Sequence, residues 1–459
     1  MKFTKAPICT NGGRVGNADN MWCWGSSTIL RVGGDVFFTH TRLIEERTGW
    51  NCNSFELYAS RSGGAWQREY TDEGVFQRSP CPILYLGGSL IGVTVNPGDC
   101  SEGADAFGPA GVPAYITSTP MLYVFDISGP AKLVRRLTLR WDDPAYWFIQ
   151  HSYRSHTVDT VTGELFFTNE HYDCLPEAIC YTMLDKDLRY LRSGHFDLPW
   201  RFLYHTMCLQ NGEFYAFGIR GMEETVTEWK AFKQRVTGNL FDYEVRNIYL
   251  LYSSDIRTGE LCEPVLTASR DSTCGRIDNL DGAFAPDGSV WFLYTASHDQ
   301  KNCMRDAFFP GLRLEKTLEL IHLNKGELLS REIIDVSDEQ EEGTPATEYG
   351  AALHTMPDGS LRLLWSKRYS PAGDICPDGL YLYDLTAKTS QRICDETPGR
   401  FFISRHRLGA QPDNRADLVW LDRYVNGQPA DPQLLHHYFL HDIPVTGQLL
   451  QYQHGVLEF

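Results

Sequence analysis

No stretch of this 459-residue chain is apolar for long enough to span a bilayer, and no basic run interrupts it. Asp and Glu number 59 against 42 Lys and Arg, a formal charge of −17. That balance repels nucleic acid and anionic membrane surfaces over the molecule as a whole. An acidic ligand is compatible only with a local cluster of Arg or His. The opening residues Met1 to Pro7 lack the apolar core of a secretory signal. The expectation is therefore a cytoplasmic protein, or a secreted one if a leader has been trimmed. The 13 cysteines contain no Cys-x-x-Cys pair and form no dense framework, which fits reduced thiols rather than a disulfide scaffold. His171, Cys174 and Cys180 match no strong zinc spacing, so no metal site is assigned, and buried free thiols are expected.

What the chain does contain is aromatic residues and turn formers. Its 23 Tyr, 24 Phe and 11 Trp suit pleated surfaces, and its 40 Gly and 23 Pro supply many turns. The composition points to an all-β protein. One unit recurs along the sequence: a short strand, a turn at Asp-Gly, Asn-Gly or Gly-Gly, then a second apolar strand. It is seen at Gly25–His40, Cys81–Val95, Ser155–Thr168, Tyr204–Phe217, Gly282–Tyr294, Ala351–Trp365 and, with a longer turn, His406–Leu421. Pro286-Asp287-Gly288 and Pro357-Asp358-Gly359 are its clearest turns.

A second apolar hairpin follows each unit, at Phe55–Glu69, Met121–Leu137, Ile179–Phe196, Ile248–Val265, Leu318–Ile334, Leu380–Cys394 and Tyr438–Gln451. Two hairpins make a four-stranded blade, and seven blades close radially with short, protected edges. The sequence therefore predicts one seven-bladed β-propeller domain over residues 1–459. The repeat of about 63 residues is longer than WD40 or kelch units. The excess lies in connections such as Gly98–Pro120 and Gly221–Glu244, where long loops often carry binding.

In a hairpin, the residue opening the first strand and the residue leaving the second lie at the same end. This places His151 and His171 of blade three, and Tyr204 and Arg220 of blade four, on one face. His and Tyr are proton-transfer groups. Arg offers a planar fork of donors to a carboxylate. His156 and His205 rival His151 and Tyr204, since a shift of one residue reverses a strand side chain. Further strand-end residues expected to line the pocket and bind substrate are Arg154, Asn279, Tyr349 and Arg405, and Arg154 and Arg235 compete with Arg220 for an acidic group.

His151 and His171 are 20 residues apart, and Tyr204 and Arg220 are 16 apart. In these spacings the chain resembles the seven-bladed propeller polysaccharide lyases, particularly the ulvan lyases of families 24 and 25. It is also similar, over nearly its whole length, to the wider group of sialidase-like BNR repeat proteins. The resemblance implies a lyase that cleaves a glycosidic bond at C4 of glucuronate or iduronate, next to rhamnose, by β-elimination. It implies Arg220 on the carboxylate, with His151, His171 and Tyr204 sharing the acid and base roles. The partner implied is a uronate-containing oligosaccharide or polysaccharide, with no nucleic acid or membrane. The mechanism requires no cofactor, and a structural metal stays open.

Two other functions fit parts of the sequence. A sialidase-like or rhamnosidase-like hydrolase would use several of Arg42, Arg78, Arg154, Arg220, Arg368, Arg405 and Arg423, or a carboxylate pair such as Glu170 with Asp281. Asp boxes are only hinted at, near Ser60 to Trp66 and Ser253 to Asp255. A non-catalytic sugar-binding propeller would stack sugars on Trp22, Trp24, Trp50, Trp141 and Trp147.

Overall fold

A strand with apolar residues on both faces needs a partner sheet on each side, and that requirement organises the computed structural model. It describes residues 1–12, 26–44, 53–74, 76–77, 79–98, 117–144, 146, 148–149, 154–171, 177–238, 243–298, 302–339, 348–369, 376–396, 398–425, 428–429 and 448–459. Seven antiparallel sheets of four main strands follow one another around a central axis as a seven-bladed propeller. Their innermost strands are Ile29–Val32, Ile83–Gly87, Arg154–Val158, Arg201–Gln210, Arg276–Phe284, Glu348–Thr355 and Phe401–Ile403. The Asp-Gly turns form as the sequence requires. Gly288 and Gly359 take positive φ, and the preceding aspartates accept the amides of Ser289 and Ser360.

The faces of the blades are buried pairwise. Seven apolar clusters each join two neighbouring blades, and together they run around the ring without a gap. Phe166 of blade three meets Phe214 of blade four at 4.8 Å, and Phe217 of blade four stacks on Phe292 of blade five at 4.7 Å. Such ring pairs add about 0.5–1.5 kcal/mol each beyond the area they bury. Most of the cohesion thus lies between blades, which is why no blade could stand alone.

Blade seven departs from the sequence expectation. Its innermost strand is Phe401–Ile403, ahead of the expected hairpin, and His406–Leu408 is a 3₁₀ turn. Its third strand is Gln448–Glu458, and its outermost strand is Lys2–Gly12 from the other end of the chain, with Lys2 opposite Glu458 and Gly12 opposite Leu449. The hairpin expected at Tyr438–Gln451 is not what completes the blade, and residues 430–447 lie outside the described set. A hairpin search sees only neighbours in sequence, so it cannot find a pairing that joins the two ends.

Among the described residues two α-helices leave the β pattern, both at the end where innermost strands begin. Helix α1 (Thr227–Thr237) falls within the long connection Gly221–Glu244 of blade four, and α2 (Asn302–Phe308) lies in blade five. Trp229 and Phe232 of α1 pack on Phe308 and Phe309, tying the two insertions together. No helix among the described residues is long and apolar enough to cross a membrane.

Blades six and seven approach closely at Gly350, where a Cβ would lie 1.6 Å from the Gly399 carbonyl oxygen. Gly350→Ala should therefore destabilise the fold by about 3 kcal/mol, at the upper end for overpacking, because backbone rather than a flexible side chain must move. The shift of its denaturation midpoint against wild type, at unchanged slope, measures this.

Candidate functional site

The strand Arg201–Gln210 carries an irregularity between Leu203 and Thr206, so Tyr204 and His205 share the space of a bulge. Tyr204 adopts φ 50, a left-handed backbone that a bulky residue rarely takes. Its carbonyl accepts a bond from Asn279 Nδ2 at 3.0 Å, and the same amide also bonds Thr206 Oγ1 and the Phe217 carbonyl. Bulges re-aim side chains and gather at functional sites, where backbone strain is also stored.

The bulge sends the two adjacent side chains in opposite directions. Tyr204 is half-buried and packs on the apolar cluster between blades four and five. His205 is buried towards blade three, stacked on Phe202, with Nε2 2.7 Å from the Thr168 hydroxyl. Burial pushes the His205 imidazole down to about 4, so it stays neutral at physiological pH. Of these two rivals, Tyr204 alone reaches solvent. His156 is buried in blade three.

Arg220 sits on the neighbouring strand Glu213–Glu223, opposite Phe202. Its Nε and Nη2 both point at the Met222 sulfur, at 3.2 and 2.7 Å. A thioether is a weak acceptor, and among the described residues Arg220 has no carboxylate partner. His171 leaves the strand Leu165–Glu170 and rests its ring on Tyr146, at 4.9 Å. Tyr146 also meets His195, whose Nδ1 lies 2.7 Å from Asp142. Tyr204, Arg220 and His171 thus occupy the same end of neighbouring blades. His151 lies outside the described residues, as does the side chain of Arg154, whose backbone opens blade three opposite Asn169. Arg235 is exposed on α1, over the Phe232 ring.

The other expected lining residues are placed differently. Asn279 is fully buried and works on the backbone of Tyr204. Tyr349 is buried, with its hydroxyl donating to Asp335 at 2.6 Å. Arg405 follows its innermost strand instead of opening it, which puts it towards the opposite end of the ring from Tyr204. There it is buried, 3.3 Å from Asp281. Burial lowers its guanidinium to about 10 against the pull of Asp281. Glu170 is likewise buried, facing Arg201 at 3.5 Å. The carboxylate pair Glu170 and Asp281 is therefore held inside by arginines.

Sequence reasoning missed Arg276 and Asp278, which open the innermost strand of blade five as Tyr204 opens that of blade four. Arg276 Nε and Nη2 grip the Asp278 carboxylate at 2.7 to 3.0 Å. The guanidinium side chain stays 41% exposed while that of Asp278 is 13% exposed. Asp278, ahead of burial and with Tyr204 nearby, raises the Arg276 guanidinium. The signal was the Arg-x-Asp pattern, since alternate residues share one strand face.

Behind this rim, α1 is anchored by a buried ion cluster. Lys233 Nζ contacts Glu224 at 2.9 Å and also Glu244, and Arg246 joins both carboxylates at 3.1 and 3.4 Å. Glu224, Glu244 and Cys274 are the one group of potential metal ligands among the described residues. They do not suit a metal: both carboxylates already hold cations, and burial pushes the Cys274 thiol up to about 12.

No protein-family model and no curated protein matches this chain. Among solved structures, a polysaccharide lyase PL25 ulvan lyase bound to -[GlcA(1-4)Rha3S]- is similar in fold. Its TM-score is 0.53 at 12% identity, covering 91% of this chain and 93% of that one. A second structure of a PL25 ulvan lyase aligns equally, at TM-score 0.53 and 11% identity over the same shares. A Penicillium chrysogenum α-L-arabinanase complexed with arabinobiose covers 99% of this chain and 98% of that one, but at TM-score 0.42 and 10% identity. At these identities the likeness is one of fold.

The ion cluster yields a test by pH. Burial raises Glu244, and with Glu224 beside it Lys233 does not compensate, so its carboxyl stands at about 7. Glu224, despite burial, is brought down to about 2 by Lys233, the Val226 amide and Arg246. The folded Glu244 binds its proton more tightly than the unfolded chain does. Its contribution is complete below the ordinary glutamate value and is lost as pH rises through 7. Thermal unfolding from pH 5 to pH 8 should show declining stability, and Glu244→Gln should flatten that decline.

Proposed function

We propose that this protein is a lyase that cleaves the glycosidic bond at C4 of a uronic acid by β-elimination. The observation that carries the reading is Arg220: a guanidinium at the strand-opening end of blade four whose one partner among the described residues is a sulfur. Most other arginines of this acidic chain are already matched to carboxylates. An arginine left to a thioether keeps its bidentate fork for a guest carboxylate.

The chemistry then follows from the residue types. The C5 proton of a uronate is weakly acidic, and its removal puts charge onto the carboxylate. Arg220 neutralises that charge as it develops, which is usually the largest catalytic contribution. The C5–H bond breaks to a base, the C4–O bond breaks, a double bond forms between C4 and C5, and the departing oxygen takes a proton from an acid. Tyr204, aimed by its bulge, is assigned one proton transfer, and His171 and His151 are the further acid and base candidates. Each well-placed transfer is worth about 10²–10⁴-fold. Glu170 and Asp281, held by arginines inside the ring, do not provide the open carboxylate pair a hydrolase needs. The sugar on the similar ulvan lyase, a glucuronate linked to sulfated rhamnose, supports uronate–rhamnose glycans as the substrate class.

Incubation with a panel of uronate-containing glycans should release a product with ultraviolet absorbance from the new double bond. Arg220→Ala should lower kcat/KM by about 10²-fold or more while the fold persists, and Arg220→Lys should restore only part of it, since a point charge lacks the fork. Tyr204→Phe should reduce kcat more than it raises KM, because proton transfer matters chiefly in the transition state. Cleavage that leaves a saturated, hydrolysed uronate would assign the protein to the hydrolases. Undiminished turnover in the Arg220 and Tyr204 variants would dismiss this site.

A further inference from the structure

The strand that carries Arg220 also carries its sulfur partner, two residues further on. Arg220 and Met222 are both half-buried on Glu213–Glu223, and the guanidinium aims Nε and Nη2 at the thioether from 3.2 and 2.7 Å. The carboxylates nearest along the chain are engaged elsewhere. Lys230 holds Glu223 at 2.8 Å, and Lys233 and Arg246 hold Glu224 and Glu244. Across the sheet Arg220 lies between Phe202, which offers no acceptor, and Asn247, whose amide turns to Asp271.

A thioether is electron-rich and polarisable but a weak hydrogen-bond acceptor. Oxidation reverses that balance. The sulfur lone pair attacks one oxygen of hydrogen peroxide, and the O–O bond breaks as the S–O bond forms. The hydroxyl proton passes to the departing hydroxide, which leaves as water. Sulfur loses two electrons and peroxide gains them, and the product is methionine sulfoxide. Its oxygen is strongly polarised and sits one bond from a sulfur that two guanidinium donors already face. A hydrogen bond from a cation to such an oxygen is charge-assisted and far stronger than one to a thioether. Met222 is reachable at the rim of the site, whereas Met183, Met207 and Met304 are buried.

We propose that Met222 is an oxidation site that controls Arg220. As a thioether it holds the guanidinium loosely and leaves the fork to a guest carboxylate. As a sulfoxide it captures the fork and shuts the guest out. That the guest is a uronate rests on the lyase reading above, whereas capture of Arg220 by the sulfoxide does not. Enzymatic reduction of the sulfoxide makes the change reversible.

Peptide mass spectrometry of the whole chain after graded hydrogen peroxide is the first measurement. Met222 should gain oxygen at least as fast as Met121 and Met356, which are half-buried as well, and ahead of the buried methionines. Labelling of Arg220 by phenylglyoxal, mapped in the same peptides, should slow several-fold once Met222 is oxidised. It should recover after treatment with methionine sulfoxide reductase, which leaves oxidised cysteines untouched. In Met222→Leu, Arg220 labelling should ignore peroxide; if that variant folds poorly, the reductase reversal on wild type decides. On a uronate glycan, oxidation should lower kcat/KM roughly tenfold, the loss of one charge-assisted contact, and the reductase should restore it. A Met222 that resists peroxide, or Arg220 labelling unchanged at full oxidation of Met222, overturns the proposal. Turnover undiminished by full oxidation of Met222 overturns it and leaves the lyase intact. Slowed labelling in a protein that cleaves no uronate glycan refutes the lyase and leaves the oxidation site.

Discussion

The axial carboxylate of Asp281 is the constraint on which the ring depends. It is buried, accepts the Leu353 amide of blade six at 2.9 Å, and faces Arg405 and Arg407 of blade seven at 3.3 Å each. Arg407 in turn offers its carbonyl to Thr157 of blade three. One acidic side chain on blade five thereby fixes the position of blades six and seven, and through them of the far side of the channel. Truncating one partner of such a buried pair strands a charge and costs about 3–5 kcal/mol. The apolar seams between blades supply cohesion but can slide; a charge met by directional donors cannot. The innermost strands that present Tyr204 and Arg276 inherit their relative placement from this point.

Much of the architecture was legible in the sequence because the repeat is local. Each hairpin announces itself by alternating apolar residues around a turn with defined chemistry, as at Asp287-Gly288 and Asp358-Gly359. Blade seven was not legible in the same way. Its innermost strand has only three residues, Phe401–Ile403, too short to show alternation, and its outermost strand is supplied from the other end of the chain.

The candidate site was legible as a set of strand ends and obscure in its detail. Topology alone assigns Tyr204, Arg220 and His171 to one end. Whether Tyr204 or His205 meets solvent depends on the bulge after Leu203, and a bulge has no signature in a strand of ordinary alternation. Asn279, Tyr349 and Arg405 looked like lining because polarity at a strand end suggests exposure. In the folded chain each is buried with a polar group turned to a neighbour: the Tyr204 carbonyl, Asp335 and Asp281. Arg276 escapes the hairpin pattern of blade five, which begins at Gly282, several residues inside the strand that opens at Arg276.

The strand Lys2–Gly12 has a consequence for how the molecule is made. It is synthesised long before its partner strand among the described residues, Gln448–Glu458. Until then both its edges are open, and an unpaired strand edge is a template for association with other chains. Six blades can assemble in order as they emerge, each against its predecessor, while the seventh waits for a contact spanning nearly the whole sequence. Closing so long a loop is slow because its entropy is lost before any contact rewards it. In the finished ring the same pairing ties two distant stretches of the chain into one sheet, so the outer edge of blade seven is held from both sides of the sequence.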